Sequence, residues 1–129
     1  MSGNLQIKLK EIRELVTNVF LKQGCDLTNA NALAKTITMA EEDGSSSHGL
    51  FRVPGYIASL QSGKVNGSAS PNITKTTPVI LKCDADNGFA STAHETSLPL
   101  LVETAKTNGI AALSIKGCYH FAALWPETE

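Results

Sequence analysis

From Val79 onward the sequence runs strand, helix, strand, and that order limits the folds open to this chain more than any other feature. "VILKC", Val79 to Cys83, is a short apolar run followed by the turn sequence "DADNG". "STAHETSLPLLVETAKTNG" then has helical character. Thr92 and Glu95 are spaced as a capping box, and Gly109 stands where a helix stops. Pro99 inside this run should kink the helix or delay its start. "IAALSI", Ile110 to Ile115, reads as a buried strand. The three together predict an α/β unit. Two or three strands make a poor sheet alone. The chain is therefore expected to be a fragment or one half of an assembly.

The first half reads differently. In "IKLKEIRELVTNVFLKQG", Ile12, Leu15, Val16, Val19 and Phe20 share one helical face, and Gly24 fits the residue after the helix. In "DLTNANALAKTITMAEEDG", Thr28 is the expected cap, with Leu27 as a staple. Ala30, Leu33, Ala34, Ile37 and Ala40 form its buried stripe, and Gly44 ends it. The last turn holds Glu41, Glu42 and Asp43, where the helix end already carries partial negative charge. A solvated end explains this, and so does stability given up near a site. "QSGKVNGSASPNITKTTP" reads as a connection between lobes.

Composition narrows the function classes. The chain has 129 residues and a formal net charge of -1, with no block of Lys or Arg, so neither a nucleic acid nor a membrane surface is an expected partner. The cysteines Cys25, Cys83 and Cys118 form no CxxC pair. Reduced thiols in a cytoplasmic protein are the simplest reading. The N-terminal stretch lacks the apolar core of a signal peptide.

Several binding motifs fail on inspection. "GSSSHG" has the glycine spacing of a P-loop, but Leu50 and Phe51 stand where Lys and Ser/Thr are needed. No GxGxxG follows either candidate strand, so a standard Rossmann site is not supported. His94-Glu95 begins an HExxH pattern that Leu98 interrupts. His48, His94 and His120 lack ligand-like spacing, so no metal site is expected.

"DGSSSHGLFRVPGYIASL" is the more productive stretch. If Ser46 or Ser47 caps a new helix, His48, Arg52 and Tyr56 lie at i, i+4 and i+8 on one face. They offer a proton donor, a carboxylate clamp and a phenol, which suits an anionic substrate undergoing proton transfer. Pro54, Gly49 and Gly55 argue against a straight helix, and a plain surface turn fits the same letters. In "CYHFAALW", His120 follows a strand end, where ligand sites concentrate, and Ala122 and Ala123 would let a flat ring approach the backbone. Tyr119, Phe121 and Trp125 fit a core equally well.

"SHGLFRVPGYIASLQSGKVNG" together with "GIAALSIKGCYHFAALWPETE" resembles the type 2 malate/L-lactate dehydrogenase superfamily, which is unrelated to the Rossmann dehydrogenases. "HFAALW" resembles its branch of Δ1-piperideine-2-carboxylate/Δ1-pyrroline-2-carboxylate reductases, and "DADNGFA" and "LLVETAKTNGIAAL" fit as well. The resemblance implies an oxidoreductase using NADPH or NADH, with a non-Rossmann cofactor domain and a homodimeric assembly. It implies His48 as proton donor, Ser47 as its relay partner and Arg52 as the carboxylate clamp. It places the backbone from His120 through Phe121, Ala122, Ala123 and Leu124 against the nicotinamide.

The expected architecture is mixed α/β: a helical lobe over residues 1–74 carrying Ser47, His48, Arg52 and Tyr56, then the incomplete start of a cofactor-binding sheet domain over 75–129. The expected reaction is reduction of a cyclic imino acid to L-pipecolate or L-proline. A 2-hydroxy acid dehydrogenase is the alternative within the superfamily. A truncated or split non-catalytic chain needing a second polypeptide is the alternative outside it.

Overall fold

A computed structural model describes residues 6–120. Four helices and three strands follow in the order α1 (Leu9–Lys22), α2 (Leu27–Glu42), α3 (Val53–Gln61), β1 (Asn72–Lys75), β2 (Ile80–Asp84), α4 (Ala90–Asn108) and β3 (Ala112–Lys116). The fold is helical first and mixed α/β after, as the sequence predicts. β1 pairs antiparallel with β2, and β2 pairs parallel with β3 across α4. β1 straddles the expected lobe boundary after residue 74, so the sheet unit begins at Asn72. Among the described residues no helix is long and apolar enough to cross a membrane.

α1 buries Ile12, Val16 and Phe20, one residue per turn, against α2. Leu15 is an exception to the expected stripe: it is 55% exposed, because the seam facing α2 is narrower than the periodicity suggested. On α2 the whole predicted stripe is buried. Its cap differs. Asp26, not Thr28, sits at the N-cap and accepts from the Asn29 N–H at 2.8 Å. Leu27 is then the first helical residue, with its side chain largely in solvent.

α4 also departs from its predicted start. Phe89 is the N-cap, and the helix runs through Pro99 to Gly109, whose φ of +80° makes the left-handed stop. No capping box forms. Thr92 Oγ1 instead donates to Asn29 Oδ1 at 2.7 Å, and Glu95 pairs with Lys35 at 2.7 Å. Tertiary partners on α2 have taken both side chains. The "DADNG" turn is as expected, with Asp86 and Asn87 at φ of 53° and 57°.

The described residues form two apolar clusters. One joins α1, α2 and α3 and is closed by Val65 and Phe89. The other packs Cys83, Ala85 and Ala93 against Ile73, Leu113, Ile115 and Cys118. The first cluster crosses the lobes through an aromatic column. Tyr56 lies edge-on to Phe20 at 5.9 Å and to Phe89 at 5.2 Å. Each such pair adds about 0.5–1.5 kcal/mol beyond its area burial. β3 is less buried than predicted: Ala112, Ser114 and Lys116 are exposed, and Leu113 and Ile115 half-buried. It is the last strand of this three-stranded sheet, so one edge has no neighbour among the described residues.

Asn29 is fully buried at the junction of α2, α4 and the connection before β1. Its Nδ2 donates to Asp26 Oδ1 at 2.9 Å and to the Ala69 carbonyl at 3.0 Å. Its Oδ1 receives the Thr92 hydroxyl. Asn29→Ala strands these partners and should cost about 3 kcal/mol, seen as a lower urea midpoint at unchanged slope. Thr92→Val, which removes one bond, should cost about 1–2 kcal/mol.

High pH should also weaken the fold. Burial, assisted by Asp26, pushes the Cys25 thiol from 9.0 up to about 11. Burial pushes the Tyr56 phenol from 10.0 up to about 12, against the opposing pull of Arg52. Both groups stay protonated longer in the folded chain, so at high pH the unfolded chain binds fewer protons. Stability from these groups is intact below about pH 9 and declines as pH rises from there to about 12. Urea midpoints across that range check this, and Cys25→Ser should remove the lower part of the decline.

Candidate active site

The stretch after α2 folds as a relay of short turns. Gly44 reverses the chain at φ +70°. A 3-10 turn over Ser46–His48 follows, then a break at Gly49, a second 3-10 turn over Leu50–Arg52, and α3. The single helical face expected for His48, Arg52 and Tyr56 is therefore not formed. Gly49, at φ -89° and ψ -133°, separates the histidine from the arginine. Pro54 does not kink a helix; it lies in the first turn of α3, where its missing N–H has no intrahelical partner to lose.

The break brings the groups together differently. Ser47 Oγ lies 2.9 Å from His48 Nδ1, and Ser45 Oγ lies 3.4 Å from the same atom. Arg52 Nε donates to the Ser47 carbonyl at 2.9 Å. The guanidinium thus folds back over the turn that carries the histidine, and its terminal Nη groups are the ones left to meet an anion. Among the described residues no carboxylate forms an ion pair with it. Ser47 is exposed, His48 and Arg52 half-buried. Ser46, Ser47 and Phe51 line a shallow depression beside them, and Phe51 is 76% exposed there.

Tyr56 is placed in the core instead. It is 2% exposed and packed between Phe20 and Phe89. Because α3 begins only at Val53, its register is set by this packing and not by His48.

The sequence reading missed two neighbours. Ser45 is the second hydroxyl at Nδ1. Glu41, in the last turn of α2, reaches forward so that its Oε1 accepts the Leu50 N–H at 2.6 Å. The ill-placed carboxylates of α2 were the available signal for Glu41.

The stretch expected to meet the cofactor begins beyond β3. The Lys116 ammonium pairs with Asp84 at 2.9 Å and holds its carboxyl below the usual range, helped by the Asp86 N–H. Gly117 turns the chain at φ +64°. Tyr119 is then tied on both sides, its N–H to the Gly88 carbonyl at 2.9 Å and its carbonyl to the Ala90 N–H at 2.8 Å. That second bond occupies the first N–H of α4, at the helix end where a Rossmann enzyme would hold a pyrophosphate. His120 follows and is exposed. The predicted cofactor contacts Phe121, Ala122, Ala123 and Leu124 lie outside the described residues.

The family model described as malate/L-lactate dehydrogenase matches residues 7–129. The chain is 43% identical, over 129 residues, to a Δ1-pyrroline-2-carboxylate reductase of Ancylobacter novellus, covering 100% of this chain and 38% of that protein. Among solved structures it is similar to the Δ1-piperideine-2-carboxylate reductase of Pseudomonas syringae pvar. tomato: TM-score 0.95 and 39% identity, over 98% of this chain and 38% of that one. The malate dehydrogenase of Entamoeba histolytica has the same fold at TM-score 0.85 and 27% identity, over 93% of this chain and 34% of its own. The chain thus spans 38% of the length of the first of these relatives. With nearly every residue matched, this chain belongs to the malate/L-lactate dehydrogenase family.

Proposed function

We propose that this chain supplies the proton donor and carboxylate clamp of an NAD(P)H-dependent reductase of cyclic imino acids, converting Δ1-piperideine-2-carboxylate or Δ1-pyrroline-2-carboxylate to L-pipecolate or L-proline. The observation that carries this is the Ser47–His48–Arg52 arrangement. A hydroxyl fixes one imidazole nitrogen, and a guanidinium sits over the same turn. Relatives named for these reactions at about 40% identity support the choice of substrate.

The roles follow from the atoms. Arg52 binds the substrate carboxylate through its Nη groups while Nε stays on the Ser47 carbonyl. In the imidazolium form, His48 Nδ1–H donates to Ser47 Oγ, so the proton given up is the one on Nε2. That proton goes to the ring nitrogen as a hydride adds to the C=N carbon beside the carboxylate. The neutral imidazole left behind keeps its Nδ1–H on the hydroxyl.

A bound nicotinamide supplies the hydride. Of the residues assigned to it, His120 is the one described, exposed just past β3 and held by the tied Tyr119. With the first N–H of α4 taken by the Tyr119 carbonyl, these residues fit one edge of a non-Rossmann site. His120 would line the cofactor there.

A 2-hydroxy acid dehydrogenase needs the same clamp and donor, and the shared fold with a malate dehydrogenase favours it as the second reading. Steady-state NADPH and NADH oxidation by the full-length protein, with both imines and a set of 2-oxoacids, separates the two. Turnover of oxoacids alone overturns the first. The proposal includes a cytoplasmic homodimer, and native mass spectrometry reads both the copy number and any second polypeptide.

A further inference from the structure

We infer that Glu41 is a positioning residue that sets the spacing between the proton donor His48 and the carboxylate clamp Arg52. This rests on the roles proposed above for those two residues. Neither shares a helix with the other. The chain between them is two separate 3-10 turns hinged at Gly49: its N–H donates to the Ser46 carbonyl at 3.4 Å and its carbonyl accepts the Arg52 N–H at 3.0 Å, so each turn is closed on Gly49 and, among the described residues, no backbone bond runs from one turn to the other.

Glu41 supplies the missing restraint from α2. Its Oε1 accepts the Leu50 N–H at 2.6 Å, a short charge-assisted bond to the first residue of the second turn. Gly49 is buried, and a Cβ there would overlap the Glu41 carboxylate, so the glycine is what admits the side chain to the hinge. The bond spans nine positions, from the end of α2 to the start of the Arg52 turn. A second restraint comes from the other direction, Arg52 Nε to the Ser47 carbonyl. Between them, the histidine turn and the arginine turn are held at one separation. This also accounts for a carboxylate in the last turn of a helix, where the dipole opposes it: the charge is spent on the hinge N–H.

The kinetic consequence is specific. Without Glu41, Arg52 keeps its fork and still captures the carboxylate, but the bound C=N nitrogen no longer meets the histidine in register. Glu41→Ala in the full-length protein should lower kcat for imine reduction at least ~10-fold and shift KM for the imine less than ~3-fold, since misplacement near 1 Å costs up to 10²-fold. Glu41→Gln retains an acceptor oxygen of the same reach and should recover kcat to within ~3-fold of the parent. Gly49→Ala, which displaces the carboxylate, should reproduce the Ala variant at Glu41. Amide hydrogen exchange gives a readout apart from turnover: Leu50 should lose protection at least ~10-fold in Glu41→Ala, with Leu33 and Ile37 unchanged.

Unchanged kcat in Glu41→Ala, or unchanged Leu50 protection, overturns the inference. So does a KM rise that accounts for the whole loss, since that would mark a binding role. His48→Ala tells the two readings apart. If it is inactive while Glu41→Ala is normal, the positioning role alone fails. If it turns over normally, the donor role fails and the positioning role with it. Should Glu41→Ala not fold, Gly49→Ala and Glu41→Gln still carry the test.

Discussion

His48→Ala in the full-length protein is expected to lower kcat for cyclic imine reduction by about 10²- to 10⁴-fold, the usual worth of a positioned general acid. The imine nitrogen must gain a proton as hydride arrives, and His48 is the titratable side chain of the Ser46–His48 turn that Arg52 Nε reaches. Binding should survive, because the clamp does not depend on the imidazole. KM for the imine should therefore move far less than kcat. Ser47→Ala gives the graded comparison. It removes the hydroxyl 2.9 Å from Nδ1 but leaves Ser45 at 3.4 Å, close enough to take over in part. A loss of about 10-fold is expected there, well short of the loss at His48. Stopped-flow or steady-state NAD(P)H oxidation measures both. A His48→Ala enzyme within a few-fold of the parent would remove the donor assignment.

Arg52→Leu should act on the other parameter. A guanidinium–carboxylate pair contributes hydrogen bonds of about 1.5–3 kcal/mol each. Losing a bidentate pair should lower kcat/KM for the imino acid by about 10²- to 10⁴-fold, mainly through KM. Some kcat is lost too, since Arg52 Nε also holds the Ser47 carbonyl. Discrimination against the ring lacking a carboxylate isolates the clamp. The parent protein should strongly prefer Δ1-pyrroline-2-carboxylate over Δ1-pyrroline, and Arg52→Leu should erase most of that preference by slowing the acid only. Arg52→Lys keeps charge without the planar fork and should recover little. Equal losses on both rings would show that the arginine shapes the turn and does not bind the carboxylate.

The helices and their buried faces were legible in the sequence because periodicity is local. Ile12, Val16 and Phe20, and the stripe from Ala30 to Ala40, need only the 3.6-residue repeat to be placed. The strand–helix–strand order, the "DADNG" turn and the stop at Gly109 follow from local chemistry in the same way. The sequence singled out His48 and Arg52 by their spacing and Ser47 by the resemblance, and the fold brings the three together, while their roles stand as proposed.

Tertiary structure decided what was long-range. Thr92 could cap its own helix or reach Asn29, and the buried amide won because an unsatisfied group there costs more than an exposed cap is worth. Tyr56 could face the substrate or the core, and Phe20 and Phe89, far away in sequence, drew it inward. The hinge at Gly49 turned an apparent single helical face into two turns joined by Arg52 and braced by Glu41. Residue types and order were fixed by the sequence. Which of them meet was settled by packing, where each buried polar group needed a partner that local spacing does not name.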